Sequence, residues 1–216
     1  MSRIGPDLAA RWRELAGNGI EASTVEAELL ARWTQPHRRY HTLGHLHAVL
    51  TAVDELAPEA TDIATVRYAA WFHDVVYEGN PGVDEELSAR LAQCLLPGCG
   101  LTAQRAAAVA ALVRVTAGHR PAAGDRDAQV LCDADLAVLG SAPGHYGAYA
   151  AAVRQEYGDL SEADFRSGRA RLLRSLLSRS WLFHTAPARS WWEEQARANM
   201  AGELAVLAQA PARAVG

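Results

Sequence analysis

A chain of 216 residues has room for one large domain and little more. With 50% hydrophobic and 21% charged residues it can bury a sizeable core, which excludes a disordered chain. Its net charge of −4 with neutral histidines excludes a general nucleic-acid or anionic-membrane binder and leaves room for a local basic pocket.

Ala/Arg/Glu-rich stretches with apolar residues three and four apart run through the chain, separated by Gly/Pro punctuation. The amino-terminal stretch MSRIGPDLAARWREL reads as the start of an amphipathic helix and lacks the apolar run of a signal peptide. Pro6-Asp7 opens that helix, with Leu8, Trp12 and Leu15 on its apolar face, and Gly17-Asn18-Gly19 ends it. A second helix is predicted over residues 23–33, with Ser23 or Thr24 as its N-cap. Pro36 breaks the chain, and residues 38–44 form a loop entering a helix with Leu46, Val49, Leu50 and Val53. Thr61 or Asp62 caps the next helix, which runs through Val66, Ala69 and Phe72 to His73-Asp74, and residues 78–82 turn. Helices follow over residues 84–96, 102–116, 127–139, 146–157, 161–181 and 190–207. Ser161-Glu162-Ala163-Asp164 resembles a capping box with Asp in place of Glu. No stretch alternates as a strand does, so the predicted fold class is all-α, a single domain of about ten helices. Cys94, Cys99 and Cys132 lack zinc-ribbon spacing and read as buried free thiols of a reducing cytosol. No apolar run reaches the roughly 18 residues that span a bilayer, so a cytoplasmic protein without membrane contact is expected.

Four distant elements carry residues able to converge on one metal. His41 and His45 are four apart in Tyr40-His41-Thr42-Leu43-Gly44-His45 and share a face if the helix extends back to His41. His73-Asp74 follows Ala69-Ala70-Trp71-Phe72, a poorly solvated position that is costly for both groups unless they bind something. Asp133-Ala134-Asp135 is an acidic pair in an apolar stretch; two residues apart on a helix, only one of the two can easily face a metal. His119 follows the helix ending near Thr116. Each element alone is weak. A lone His-Asp pair is common by chance, and an acidic pair in a helix is more often a solvated face or a complement to the helix dipole. Together, imidazoles and carboxylates make a mixed N/O site suited to Mn, Fe, Co, Zn or Mg, with positions left for water and a substrate oxygen. Such a site suffices for phosphoester hydrolysis.

The order His…His-Asp…Asp resembles the HD superfamily of metal-dependent phosphohydrolases. More narrowly, a bacterial group of HD phosphohydrolases is similar in Arg39-Tyr40-His41-Thr-Leu-Gly-His45, in Trp71-Phe72-His73-Asp74-Val75-Val76-Tyr77 and in Asp133-Ala134-Asp135-Leu136. The later stretches Val153-Arg154-Gln155-Glu156-Tyr157, Gly168-Arg169 and Ala196-Arg197-Ala198-Asn199-Met200 fit it too. The Tyr-His-x-x-x-His element is also similar to one in cyclic-nucleotide phosphodiesterases. The resemblance implies an HD core over about residues 38–140 with carboxy-terminal helices, about residues 145–208, packing on it. It implies one divalent ion per chain on His45, His73, Asp74 and Asp135, favoured over Asp133, with His41 protonating the leaving group. The implied substrate is a nucleotide or another small phosphorylated metabolite, with no stable nucleic-acid complex; a homo-oligomer stays open.

Many HD enzymes have a His-Glu pair where this chain has Asp84-Glu85, so Asp84 puts a second metal in doubt. Glu85 is expected either to orient a ligand or the attacking water, or to serve as a first-turn acid. His119, with Thr116, is expected to contact phosphate, to supply a ligand, or to be a surface residue at a helix end. Arg38, Arg39 and Arg169 are candidate phosphate clamps against a default of surface ion pairs, with Arg39 the best placed. His37, His47, His145 and His184 read as structural or exposed, Tyr77 and Tyr146 as packing residues, and Trp191-Trp192 as contributing at least one core or interface residue. Two rival functions stand beside the hydrolase. A di-iron HD oxygenase needs further ligands, and a non-catalytic nucleotide-binding HD module has no need of all four donors.

Overall fold

The computed structural model describes residues 4–209, so the first three residues of the amino-terminal stretch lie outside it. Among the described residues there are ten α-helices and no strand, as the all-α expectation requires. No helix there is long and apolar enough to cross a membrane. The chain divides between Asp135 and Leu136 into two compact units.

The first unit holds α1 (Ile4–Ala16), α2 (Ile20–Trp33), α3 (Leu43–Glu55), α4 (Ile63–Phe72), α5 (Val83–Leu95), α6 (Ala103–Thr116) and all but the last residue of α7 (Arg126–Leu136). Helix α4 is its axis. Thr65, Val66, Tyr68, Ala69, Ala70, Trp71 and Phe72 are all buried, the mark of a helix apolar over most of its surface, with Arg67 alone of this run turned outwards to Asp54. It packs against α1, α3, α5 and α6. Trp12 of α1 meets Trp71 edge-to-face with ring centroids 5.2 Å apart, and Tyr68 at 5.9 Å. Two of these rings have their polar atoms matched, while the buried Trp71 Nε1 finds no acceptor among the described residues. Trp12 donates to Ala22 O at 2.8 Å, and the Tyr68 hydroxyl donates to Leu15 O at 2.9 Å. On the scale of buried aromatic truncations, losing Trp71 costs about 3–5 kcal/mol.

The helix starts follow local chemistry. Asp62 accepts from Thr65 N and Thr102 from Arg105 N, both as N-caps. Helix α2 starts earlier than expected: it opens at Ile20 behind Gly19, and Ser23 and Thr24 lie inside its first turns. Thr24 satisfies its hydroxyl by donating back to Ile20 O, the usual recourse of a threonine inside a helix. Cys94 is exposed and Cys99 half-buried, so only Cys132 is the buried thiol expected of all three.

The second unit holds a 3-10 turn at Ala137–Gly140, α8 (Pro143–Glu156), α9 (Glu162–Leu177) and α10 (Ala186–Ala208). Helix α10 anchors it through three polar side chains. Glu193 accepts from Leu182 N and Phe183 N, Arg197 donates to Leu177 O, Arg179 O and Ser180 O, and Asn199 donates to Leu139 O and Ser141 O. Helix α9 ends at Leu177, short of the Trp181 that its sequence pattern predicts, and Arg197 takes carbonyls that the ended ladder leaves free. At Ser161 the expected capping box is half formed. The hydroxyl accepts from Asp164 N, but the Asp164 carboxylate bonds that same hydroxyl and not the backbone.

Gly140 lies against α10 so closely that an added Cβ would stand 2.8 Å from Trp192 Cα. Backbone cannot yield as a side-chain tip can. Gly140→Ala is expected to destabilise the second unit by about 1–3 kcal/mol, read as a lower urea midpoint. An unchanged midpoint would mean the two segments are not in contact.

Candidate metal centre

The first histidine is placed by a cap. Thr42 is extended and its hydroxyl accepts from Gly44 N at 3.3 Å, so α3 starts at Leu43 and His45 falls in its first turn, 5% exposed. The helix does not extend back to His41, so the expected shared helical face does not exist. Even so, the turn brings His41 Nε2 to 3.8 Å from Asp74 Oδ2.

The second histidine is placed by the end of α4. His73 is its C-cap, fully buried, and its Nδ1 lies 2.8 Å from Ala70 O. A carbonyl only accepts, so Nδ1 carries the hydrogen and Nε2 is turned towards His45 and the two carboxylates. Asp74 follows at once, and Asp135 comes from the last turn of α7.

One nitrogen or oxygen from each of His45, His73, Asp74 and Asp135 lies within 4.8 Å of the other three. His45 Nε2 is 3.1 Å from His73 Nε2, 3.1 Å from Asp135 Oδ1 and 3.6 Å from Asp74 Oδ2. His73 Nε2 is 3.2 Å from Asp74 Oδ2 and 3.4 Å from Asp135 Oδ1. Ligand bonds of about 2.0–2.2 Å to a common centre require donor separations of this kind. The charge fits as well. With neutral imidazoles the group carries two negative charges in a largely buried place, and a divalent cation cancels them. These four residues could hold a metal ion, and they are the four expected from the sequence.

Without an ion, protons supply the positive charge. Burial would raise the Asp74 and Asp135 carboxyls, but His73 first, and the other imidazoles after it, hold both well below the usual range. Burial would lower His45 and His73. The two carboxylates outweigh it and raise both, His73 most.

The surroundings are asymmetric. Trp33 backs the two buried histidines, with ring centroids 6.2 Å from His45 and 5.5 Å from His73. His41, Asp74 and Asp135 keep 19%, 17% and 13% of their side-chain surface, so the cluster opens on their side. There Tyr77 stacks on the His41 ring at 4.0 Å.

Arg38, a candidate phosphate clamp by sequence, has a different task. It is buried and donates to His41 O at 3.0 Å, Asp74 O at 2.8 Å and Val75 O at 3.1 Å. It joins the two segments that carry the site while lying between the Trp33 and Tyr77 rings. Asp84 and Ser88 of α5 hold the loop beyond. Asp84 accepts from Glu78 N and Asn80 N, both at 2.8 Å, and Ser88 accepts from Val76 N. Glu85 accepts from Gly82 N and so closes the start of α5, the first-turn role expected as one of its two. His119 Nε2 bonds Asp135 Oδ2 at 2.7 Å. Asp133 is fully buried and outside the cluster. Arg39 is exposed, with its guanidinium donating to Pro36 O and Arg38 O. Arg169, in the second unit, forms a two-pronged ion pair with Glu203 and donates to the Tyr149 hydroxyl. Tyr146 donates to the same Glu203, which accounts for its burial. His37, which is exposed, bonds Tyr77 O, and His47 pairs with Asp7.

Comparison with protein-family models, curated proteins and solved structures gives no match to this chain.

Two outcomes follow from the geometry. Stabilisation by the raised histidines is complete below their unfolded value near 6.5 and is lost as pH climbs through the raised folded values. That from the lowered carboxylates is present above about 3.8 and is lost as pH falls. An ion must displace the histidine protons, so added Mn2+ should raise the thermal midpoint more at about pH 8 than at about pH 6. Equal shifts would place the ion elsewhere. Arg38→Lys keeps the charge but loses the planar fork, stranding carbonyls at about 1–3 kcal/mol each. The expected result is a lower urea midpoint together with weaker Mn2+ binding.

Proposed function

We propose that the chain is a metal-dependent phosphohydrolase of the HD type, acting on a nucleotide or another small phosphorylated metabolite. The observation that carries this reading is the convergence of four donors on one point, beside a further histidine, the partly exposed His41, on the open side. A divalent ion bound there supplies Lewis acidity for a phosphoryl oxygen and a lowered pKa for an attacking water.

The chain's own residues do the rest. His45, His73, Asp74 and Asp135 hold the ion. Trp33 closes the buried side, so water and substrate enter past His41. His41, oriented by the Tyr77 stack and by Arg38 on its carbonyl, donates a proton to the leaving oxygen from Nε2. Arg39, exposed and two residues from His41, is assigned the remaining phosphate charge. Elemental analysis of purified protein should find about one divalent ion per chain; two irons per chain would instead favour an oxygenase.

Asp74→Ala should abolish metal binding and the hydrolysis of phosphoesters screened with Mn2+, Co2+ and Mg2+. His41→Ala should keep the ion and lose about 10²–10⁴-fold in turnover. Full activity in the Asp74 variant would sink the assignment, and loss of the ion in the His41 variant would make His41 a ligand.

A further inference from the structure

His119 stands outside the four converging donors, yet it holds the far side of one of them. Helix α6 ends at Thr116, and the chain turns through Ala117 and Gly118 to His119, whose N–H donates to Val115 O at 2.9 Å. His119 has φ of 47°, the single non-glycine residue with positive φ among the described residues. That conformation favours glycine, and a glycine stands next to it at position 118, outside the left-handed region. Gly at 119 would end the helix without strain. The strained position instead carries the one side chain of this turn that reaches Asp135, with Nε2 2.7 Å from Oδ2. The other oxygen of the same carboxylate, Oδ1, faces His45 and His73 at 3.1 and 3.4 Å.

We propose that His119 is a positioning residue that fixes Asp135 so that a single oxygen, Oδ1, is offered to the ion. This rests on the metal reading above and adds to it a reason for an open coordination position. The terminal torsion of an aspartate is broad and roughly two-fold. Unrestrained, the carboxylate can turn both oxygens to an ion and occupy the place that water or substrate needs. With Oδ2 engaged by the ring N–H of His119, Asp135 is held to one bond.

The test is titration of the metal-free full chain with Co2+, whose visible absorption reports coordination number, by calorimetry and spectroscopy together. Three proteins are compared: the wild type, His119→Gly, which removes the ring and relieves the backbone, and His119→Gln, which keeps an N–H donor. His119→Gly is expected to bind one ion per chain about 10–100-fold more weakly, with an altered Co2+ spectrum. His119→Gln is expected to recover affinity and spectrum towards the wild type. Wild-type affinity and spectrum in His119→Gly would reduce His119 to a helix end. A folded His119→Gly that binds no ion, with no recovery in His119→Gln, would make it a ligand; either result overturns the proposal. If the wild type itself binds no Co2+, the metal reading fails and this one with it.

Discussion

Helix α4 ends inside the protein, and the structure of the site follows from how its last carbonyls are satisfied. The final turn of any helix leaves acceptors without partners, and in a buried place each costs about 1–3 kcal/mol if left so. Here Ala70 O takes the Nδ1 hydrogen of His73 and Trp71 O takes the indole hydrogen of Trp33. Phe72 O takes Val75 N, and beyond the helix Arg38 takes the carbonyls of Asp74 and Val75. Closing the helix thus sets the tautomer of His73, seats Trp33 behind the two imidazoles and ties the His41 turn to the His73-Asp74 turn. The fold and the donor geometry are one solution to one constraint.

That solution explains which parts were legible in the sequence. The four donors were, by two routes: His73 and Asp74 stand after an apolar run where their types are chemically out of place, whereas His45, and Asp135 over its neighbour Asp133, were singled out by the resemblance to HD phosphohydrolases. The cap Asp62, one of two offered, was legible because its partner is three residues away. Arg38, Asp84 and Glu85 were assigned too much chemistry or too little. Arg38 and Asp74 are 36 residues apart, and nothing local distinguishes an arginine that will clasp three carbonyls from one that will clasp a phosphate. Glu85 serves its own helix, a role that a first-turn acid always has available. His41 reached the site by a route different from the expected one, through a turn closed by Thr42 and not along a helical face.

The second unit shows how the same chain treats buried carboxylates that have no metal to meet. Glu203 is paired with Arg169 through two hydrogen bonds, and Glu193 with Arg197 as well as two backbone N–H groups. In the first unit the half-exposed Asp62 is likewise met by Arg105. Arginine is the only source of permanent positive charge on a side chain here, because the 21 basic residues include no lysine. A guanidinium in such a pair is fixed, always charged and unable to bind a cation.

Asp74 and Asp135 are held low by imidazoles: His73, His45, His41 and His119. An imidazolium gives the same electrostatic relief as a guanidinium, but it can surrender its proton and then present a lone pair. A cluster neutralised by arginine is finished, whereas one neutralised by histidine can exchange its protons for an ion at little structural cost, since the donor atoms already face one another. Burying two carboxylates against two interior histidines is a poor choice for stability alone, because a well-packed apolar group would do as well or better. It is a good choice for a site that must be held in place before the ion arrives. The arrangement of charge therefore argues for metal binding independently of any motif, from the one feature that separates this cluster from the arginine-paired carboxylates elsewhere in the chain.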